Sequence, residues 1–264
     1  MSSFAGVLRH EIGMSLRRKG LWIAYGLLFV FHTVLLFTPP PIGEMVKGEV
    51  IGRGEVWHVA GRFLLACNVF FPVVAGILSA DRVRRDFRLG LRELQDSTPL
   101  SRHVYVLTKY LGSLVSSLFP LFLWVMGIAA LLTVLGRAHG SMLYAVPVAF
   151  LAITVPAFAF VVAFSLACPT VMPLSIYQIL FTGYWFWANF IPPKLFPTLN
   201  GTFLTPSGVF AQQGFFRGEV SQALTGAAPY TTADAVANLA VLGLCSAVAL
   251  FLLDHYLGYL ARRA

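Results

Sequence analysis

The chain alternates between long apolar runs and shorter polar segments. Six apolar runs have about the length that a helix needs to cross a hydrocarbon core of about 30 Å. These runs cover residues 21–37, 57–80, 104–135, 142–167, 174–191 and 235–257. Pro120, Pro147 and Pro156 fall inside them, and we expect kinks there because proline removes a helical hydrogen bond. The pattern predicts an all-α polytopic membrane protein with six transmembrane helices.

A further helix is predicted ahead of the first run. Apolar side chains recur every four residues, at Phe4, Leu8, Ile12 and Leu16. Such a stripe predicts an amphipathic interfacial helix over residues 1–20 that turns into the first span. Glu11 lies near the stripe, and a carboxylate fits poorly at that position if the stripe faces lipid.

The composition agrees with a membrane protein and offers no catalytic or metal site. Hydrophobic residues make up 58% of the chain and charged residues 11%, whereas soluble domains have about 25% charged residues. The three cysteines lie inside apolar runs, and neither they nor the six histidines have the spacing of metal ligands. The motifs HExxH and GxSxG are absent, so we expect that the chain is not an enzyme.

The basic residues predict the orientation of the chain. With the N-terminus in the cytoplasm, 13 of the 19 Lys and Arg residues fall on the cytoplasmic side, as the positive-inside rule requires. Both termini are then cytoplasmic, and the net charge of +8 reflects topology and lipid contact, not nucleic acid. The segment 192–234 lies outside, where its Phe, Pro and Gly residues predict packing against the outer leaflet or insertion into the bundle.

Seven of the 19 basic residues lie between Ala80 and Tyr110. On a helix, four apolar residues share one arc, four arginines the next and two acidic residues a third. In that order they are Val83, Phe87, Leu91 and Leu94; Arg84, Arg85, Arg88 and Arg92; and Asp86 and Glu93. Thr98 and Pro99 then suit the start of a second helix. The stretch predicts a cytoplasmic helical hairpin over residues 81–103.

Two functions fit this hairpin. Its arginines suit attraction to anionic lipid, which also fixes topology. A defined turn and a separate acidic face favour instead the docking of a cytoplasmic protein, because lipid binding requires neither.

The sequence ADRVRRDFRLGLRELQDSTPLSRHVYVLTKYLGSL resembles the cytoplasmic segment of ABC-2 type transporter permeases. In that family a charged helix ends in a turn of the S-T-P-L-S-R kind, and Y-x-L-x-K-Y-L-G then leads into the third span. The matching residues are Asp81, Arg85, Gly90, Glu93, Leu94, Ser97, Pro99, Leu100, Ser101, Arg102, Lys109 and Gly112. The six spans, the N-terminal amphipathic helix and the longer outer segment are similar to the family's plan as well.

The resemblance implies that residues 1–264 form a single transmembrane domain, the permease subunit of an ATP-binding cassette exporter in a bacterial inner membrane. In this family the segment after the second span is a coupling helix that contacts the ATPase. By position, the candidates for that contact are Arg84, Arg85, Arg88, Glu93, Asp96, Ser97, Thr98 and Pro99. The substrate class implied is amphipathic, lipidic or peptide-like.

The partners follow from the same resemblance. The chain has no GxxxxGK[ST] motif, so ATP and Mg are expected on a separate P-loop ATPase and no cofactor on this chain. Two ATPase subunits and a second permease, either a copy of this chain or a sister subunit, would complete the transporter, with membrane lipids around it.

Polar residues within the predicted spans are candidates for a translocation path, because intramembrane polar groups are costly. They are His32, Asn68, Tyr177, Gln178, Trp185 and Asn189. Hydrogen bonding between helices is the alternative role for each. Charged residues are missing from the middle of the spans, with Arg62 as an edge case, which argues against a proton-coupled carrier.

Two other functions stay open. One is a permease-like subunit that transmits ATPase motion to a membrane or periplasmic partner without moving a solute. The other is a secondary carrier or channel that works alone.

Overall fold

The computed structural model describes residues 2–37, 50–88, 101–216 and 229–262, and these are all-helical. In chain order the helices are α1 (Ser2–Leu16), α2 (Lys19–Phe37), α3 (Val56–Cys67), α4 (Phe71–Ala80), α5 (Arg82–Arg88), α6 (Arg102–Val134), α7 (Met142–Ala149), α8 (Val155–Ala167), α9 (Leu174–Phe190), α10 (Val209–Phe216) and α11 (Thr232–Ala261). A π-helix, Phe150–Thr154, joins α7 to α8, and a 3-10 turn, Cys168–Thr170, follows α8.

Several helices are long and apolar enough to cross a membrane. Within the described ranges four stretches qualify, namely Lys19–Leu36, Arg102–Val134, Met142–Thr170 and Thr232–Ala261, and the bent pair α3 and α4 makes a fifth if it is one span. Helix α9 has 17 residues, a length of about 25 Å. Helix length and composition therefore support a membrane protein, and the six-span layout stays a prediction.

The second predicted span is two helices. Helix α3 ends at Cys67, α4 begins at Phe71, and the axis of α3 differs by 42° from that of the stretch Phe71–Asp86. Pro72 lies in the first turn of α4, where its missing N–H is tolerated because no carbonyl of the preceding turn requires it. Hydropathy does not detect such a break, because both sides of it are apolar.

A π-helix interrupts the fourth predicted span just before Pro156, and the kinks expected at the prolines stay a prediction. The Val155 N–H donates to the Phe150 carbonyl, five residues back instead of four. Pro156 has no N–H to donate, so the regular bonding pattern cannot pass through it. Pro147 lies in α7 just before this π-helix, and Pro120 lies inside α6.

Part of the outer segment enters the bundle, which is the second of the two arrangements that the sequence allows. Residues 205–212 are buried. The Asn68 side-chain amide, at the break between α3 and α4, donates to the Ser207 carbonyl at 3.0 Å and to the Ile153 carbonyl at 3.1 Å. The broken helix, the π-helix and the inserted segment therefore meet at one asparagine. Irregular backbone at membrane depth needs such partners.

The bundle has two distinct ends. The α1 end contains α1, α5, the start of α6 and the end of α11, which are joined by ion pairs. The far end contains the segments before α3 and α7, where the Ile51 N–H donates to Arg137 O and the His139 N–H donates to Ile51 O, each at 3.0 Å. The loop before α10 belongs to this far end as well.

Two glycines, one in the inserted segment and one at the far end, allow a test of how tightly the inserted segment is packed. Gly208 has φ +94°, and a Cβ there would lie 2.6 Å from Ile153 Cγ2, whereas Gly136 has φ +67° with open space around it. Both alanine substitutions carry backbone strain of about 1–2 kcal/mol, and Gly208→Ala adds about 1–3 kcal/mol of overpacking. We expect Gly208→Ala to lower the apparent Tm of the detergent-purified protein clearly more than Gly136→Ala. Equal losses would contradict the packing described here.

Candidate functional site

A buried cluster of charges lies at the α1 end. The Lys109 ammonium on α6 is 2.7 Å from Glu11 Oε1 on α1 and 2.7 Å from Asp86 Oδ2 on α5. These side chains are 7%, 8% and 13% exposed respectively. The Tyr105 hydroxyl donates to Asp86 Oδ2 at 2.8 Å. Three helices that are separate in sequence are therefore joined through one ammonium group.

Arg82 completes the cluster and balances its charge. Its guanidinium is 3.9 Å from Glu11 Oε2, and its side chain is 7% exposed. Two carboxylates then face two cations, so the cluster is formally neutral, which is the condition for keeping charges out of water. We call Glu11, Arg82, Asp86 and Lys109 the buried charge cluster.

Helical spacing brings these side chains together. Arg82 and Asp86 are four residues apart on α5, as are Tyr105 and Lys109 on α6, so each pair projects from one helix face. Gly112 lets α1 approach, since a Cβ at that position would lie 2.8 Å from Glu11 Cβ. The glycine thus places the Glu11 carboxylate within reach of the ammonium one turn away.

A second, more exposed link lies at the same end. Asp254, near the end of α11, is 3.2 Å from Arg102 Nε and 3.0 Å from His103 Nδ1 at the start of α6. The Arg102 side chain is 41% exposed and that of His103 75%. Water competes with these contacts at Arg102 and His103. We therefore expect loss of this link to lower the free energy of unfolding less than loss of the buried charge cluster.

The predicted ATPase contacts are only partly described. Arg84 is half-buried and Arg85 is exposed, both on α5 beside the buried charge cluster. Arg88 is the last residue of α5. The remaining candidates, Glu93, Asp96, Ser97, Thr98 and Pro99, lie outside the residues that the structure describes, as does the predicted elbow of the hairpin.

Three of the predicted path residues meet at the break between α3 and α4. His32 is buried, with Nε2 3.4 Å from the Ala66 carbonyl. The fully buried Trp185 donates from Nε1 to the Val69 carbonyl at 3.0 Å. Together with Asn68, the His32 and Trp185 side chains form hydrogen bonds with backbone carbonyls at the break and next to it. These contacts match the alternative role, hydrogen bonding between helices.

The other predicted path residues lie along α9. The Tyr177 and Ser165 hydroxyls are 2.8 Å apart, which links α9 to α8. The Asn189 amide donates to the Trp185 carbonyl within α9 at 2.8 Å. Gln178 is half-buried. A translocation role for these side chains stays a prediction.

Neither a metal site nor a related protein was found. Among the described residues no group of three or more His, Cys, Asp or Glu side chains is placed to hold a metal ion. Comparison with protein-family models, curated proteins and solved structures gave no match to this chain.

The sequence had one signal for the buried charge cluster. Glu11 lies beside an otherwise apolar stripe, and a carboxylate at such a position is best explained by pairing with a buried cation. Nothing in the local sequence names Lys109 as that cation. The pairing depends on tertiary contact between α1 and α6.

Removing the central ammonium tests the cluster. Lys109→Met leaves two buried carboxylates with one distant cation, so we expect a loss of about 3–5 kcal/mol in the free energy of unfolding. Arg102→Met, on the same helix, is the matched control: Asp254 is itself 8% exposed but keeps His103 at 3.0 Å as a partner, so we expect a smaller loss of about 1 kcal/mol. The apparent Tm of each variant in nanodiscs, relative to that of the unchanged chain, compares the two losses. Equal shifts would show that the cluster does not stabilise the α1 end.

Proposed function

We propose that this chain is the permease subunit of an ATP-binding cassette exporter of the ABC-2 type. The observation that carries the proposal is the buried charge cluster, which fastens α5 to α1 and to α6. Helix α5 is the first part of the segment that resembles the family's coupling helix. An element that transmits force has to be attached to what it moves, and this one is attached to two helices by buried ion pairs.

The arginines of α5 fit the docking role in this proposal. Arg85 is exposed on the same short helix that holds Asp86 inside the bundle. One side of α5 therefore faces inward to the buried charge cluster, while the other presents basic charge to a partner. Glu93, Asp96 and Ser97–Pro99 remain proposed contacts by their position in the sequence. The partner would be an ATPase that supplies ATP and Mg.

Helix α6 carries the displacement in this mechanism. It runs for 33 residues from the α1 end to the far end, a length of about 50 Å. Lys109 lies in its second turn, so a movement of α5 acts on α6 near its base. The α1 end is the cytoplasmic end in this proposal, with both termini on that side, in agreement with its basic residues.

A complete transporter in this proposal contains two ATPase subunits and two permease subunits. The second permease is another copy of this chain or a sister subunit. The two other functions, a non-transporting permease-like subunit and an independent carrier, make different predictions about ATPase binding and solute movement.

Charge reversal on α5 tests the docking role. We expect Arg85→Glu to lower recovery of the ATPase with affinity-purified permease about tenfold. The substitution places a negative charge where the proposal has an arginine facing a negatively charged surface of the ATPase. Arg137→Glu, an exposed arginine at the far end, is the matched control and should leave recovery unchanged. Membrane insertion should be equal in both variants.

The outcomes separate the three functions. ATPase recovery that is lost in Arg85→Glu and kept in Arg137→Glu supports docking through α5. Recovery that Arg85→Glu leaves unchanged contradicts docking at this helix. An ATPase that binds without any solute movement in reconstituted vesicles favours the permease-like subunit, and no ATPase with the unchanged chain favours the independent carrier.

A further inference from the structure

Helix α3 has one buried face and one exposed face. The buried face consists of apolar residues and Gly61, and it packs into the bundle. The opposite face carries three residues with ionisable side chains: Glu55 just before the helix, then His58 and Arg62. At 100° per residue these three fall within an arc of about 60°. We call them the polar row.

Arg62 would be costly as a charge if α3 is part of a membrane span. Helix α3 starts at Val56 next to the far-end segment that pairs with Arg137 and His139. Arg62 is six residues further along, or about 9 Å toward the middle of the bundle. Its side chain is exposed on the bundle surface. If it faced hydrocarbon, the guanidinium would be neither hydrated nor paired.

The described residues supply no counter-ion for this guanidinium. No described Asp or Glu side chain makes an ion pair with Arg62, and Glu55 lies seven residues away, about 10 Å along the helix. Buried or membrane-embedded cations are normally paired or in contact with water. An anion from outside the described part of the chain would satisfy this group.

A cleft beside the polar row has room for an apolar ligand. It has a volume of about 940 Å³ and lies between α3, the α7–π-helix stretch and α10. Its walls include Trp57, Val148, Ala152, Phe215 and Phe216. His58 and Val59 line it as well, and Arg62 lies one turn below them on the same face. Ligand cavities commonly have volumes of about 300–1,000 Å³ and largely apolar walls.

We propose that this cleft and Arg62 form a binding site for an anionic amphipathic molecule of the phospholipid type. The acyl chain lies against Val148, Ala152 and Phe215, and the anionic headgroup accepts hydrogen bonds from the Arg62 guanidinium. A guanidinium suits this task because it pairs with phosphate oxygens in a two-pronged geometry and is always charged. Glu55 also lines the cleft, about 10 Å from Arg62 along the helix, so the anionic headgroup is expected at the Arg62 end and away from this carboxylate.

The inference names the substrate class of the proposed exporter. It rests on the proposed function only in treating the ligand as a substrate, because binding at this site requires neither ATP nor an ATPase. A binding measurement on the permease alone therefore distinguishes failure of the binding-site proposal from failure of the proposed function.

The test uses phosphatidylglycerol with a photoactivatable diazirine in its acyl chain, added to the purified full chain in phosphatidylcholine nanodiscs. Mass spectrometry of the digested protein locates the labelled peptides. We expect labelling of peptides that contain Val148 and Phe215, with at most weak labelling from a phosphatidylcholine probe of the same kind. Arg62→Gln should reduce this labelling about tenfold, the size expected for a lost hydrogen bond to a charged group. Arg137→Gln should not change it.

A second pair of variants separates the cleft from general contact with bulk lipid. Val148→Trp fills the cleft from an exposed position, whereas Leu143→Trp adds the same side chain to the same helix at a position outside the cleft lining. Labelling of the Phe215 peptide should fall in Val148→Trp and persist in Leu143→Trp. Labelling of α1 by the same probe serves as the folding control for every variant.

Three results would overturn the proposal. The first is equal labelling of the cleft by both probes. The second is labelling that survives Arg62→Gln, which would mean that another group compensates Arg62. The third is loss in Arg62→Gln without loss in Val148→Trp, which would mean that Arg62 only contacts bulk headgroups.

Discussion

The ammonium of Lys109, held between the carboxylates of Glu11 and Asp86, is the contact on which the arrangement of the α1 end depends. Helix α5 has seven residues and is too short to be stable by itself. Its position is fixed by Asp86 and Arg82, which contact α6 and α1 inside the bundle. Each charge of the cluster is costly to bury alone, so the three helices hold this geometry together or not at all.

The same requirement, that buried polar groups find partners, explains the middle of the bundle. The break after Cys67 and the π-helix at Phe150–Thr154 both leave the regular hydrogen-bonding pattern. Asn68 donates to the π-helix and to the inserted segment, and Trp185 donates to the break itself. The irregular backbone lies where the Asn68 amide and the Trp185 indole can donate hydrogen bonds to it. These contacts give the middle of the bundle a fixed shape.

The positions of the helices could be predicted from hydrophobic runs, because burial in a bundle or a membrane requires a continuous apolar stretch. The observed helices begin and end within four residues of the predicted runs, the interior break excepted. That break was missed because Asn68 and Pro72 are single residues in an apolar context, and either is also compatible with a continuous helix. The insertion of residues 205–212 was one of two arrangements that the composition allowed, and only tertiary contacts decide between them.

The candidate site was predictable in part. The charge pattern predicted a basic face from four arginines at helical spacing, and two of them, Arg84 and Arg85, lie on α5 half-buried and exposed respectively. It did not identify what holds α5, since Lys109 belongs to a long apolar run and Glu11 to an apolar stripe nearly one hundred residues earlier. Opposite charges that are distant in sequence become a pair only when the fold brings α1 against α6, with Gly112 at the contact.

The most direct test of the account is to purify the unchanged chain from gently solubilised native membranes and identify its partners by mass spectrometry. The account predicts a P-loop ATPase in about equimolar amount to the permease, and its loss when Ser97–Pro99 is replaced by three glycines. A monodisperse preparation that contains no P-loop ATPase would contradict it, and the basic residues of α5 would then be explained by topology and anionic lipid alone.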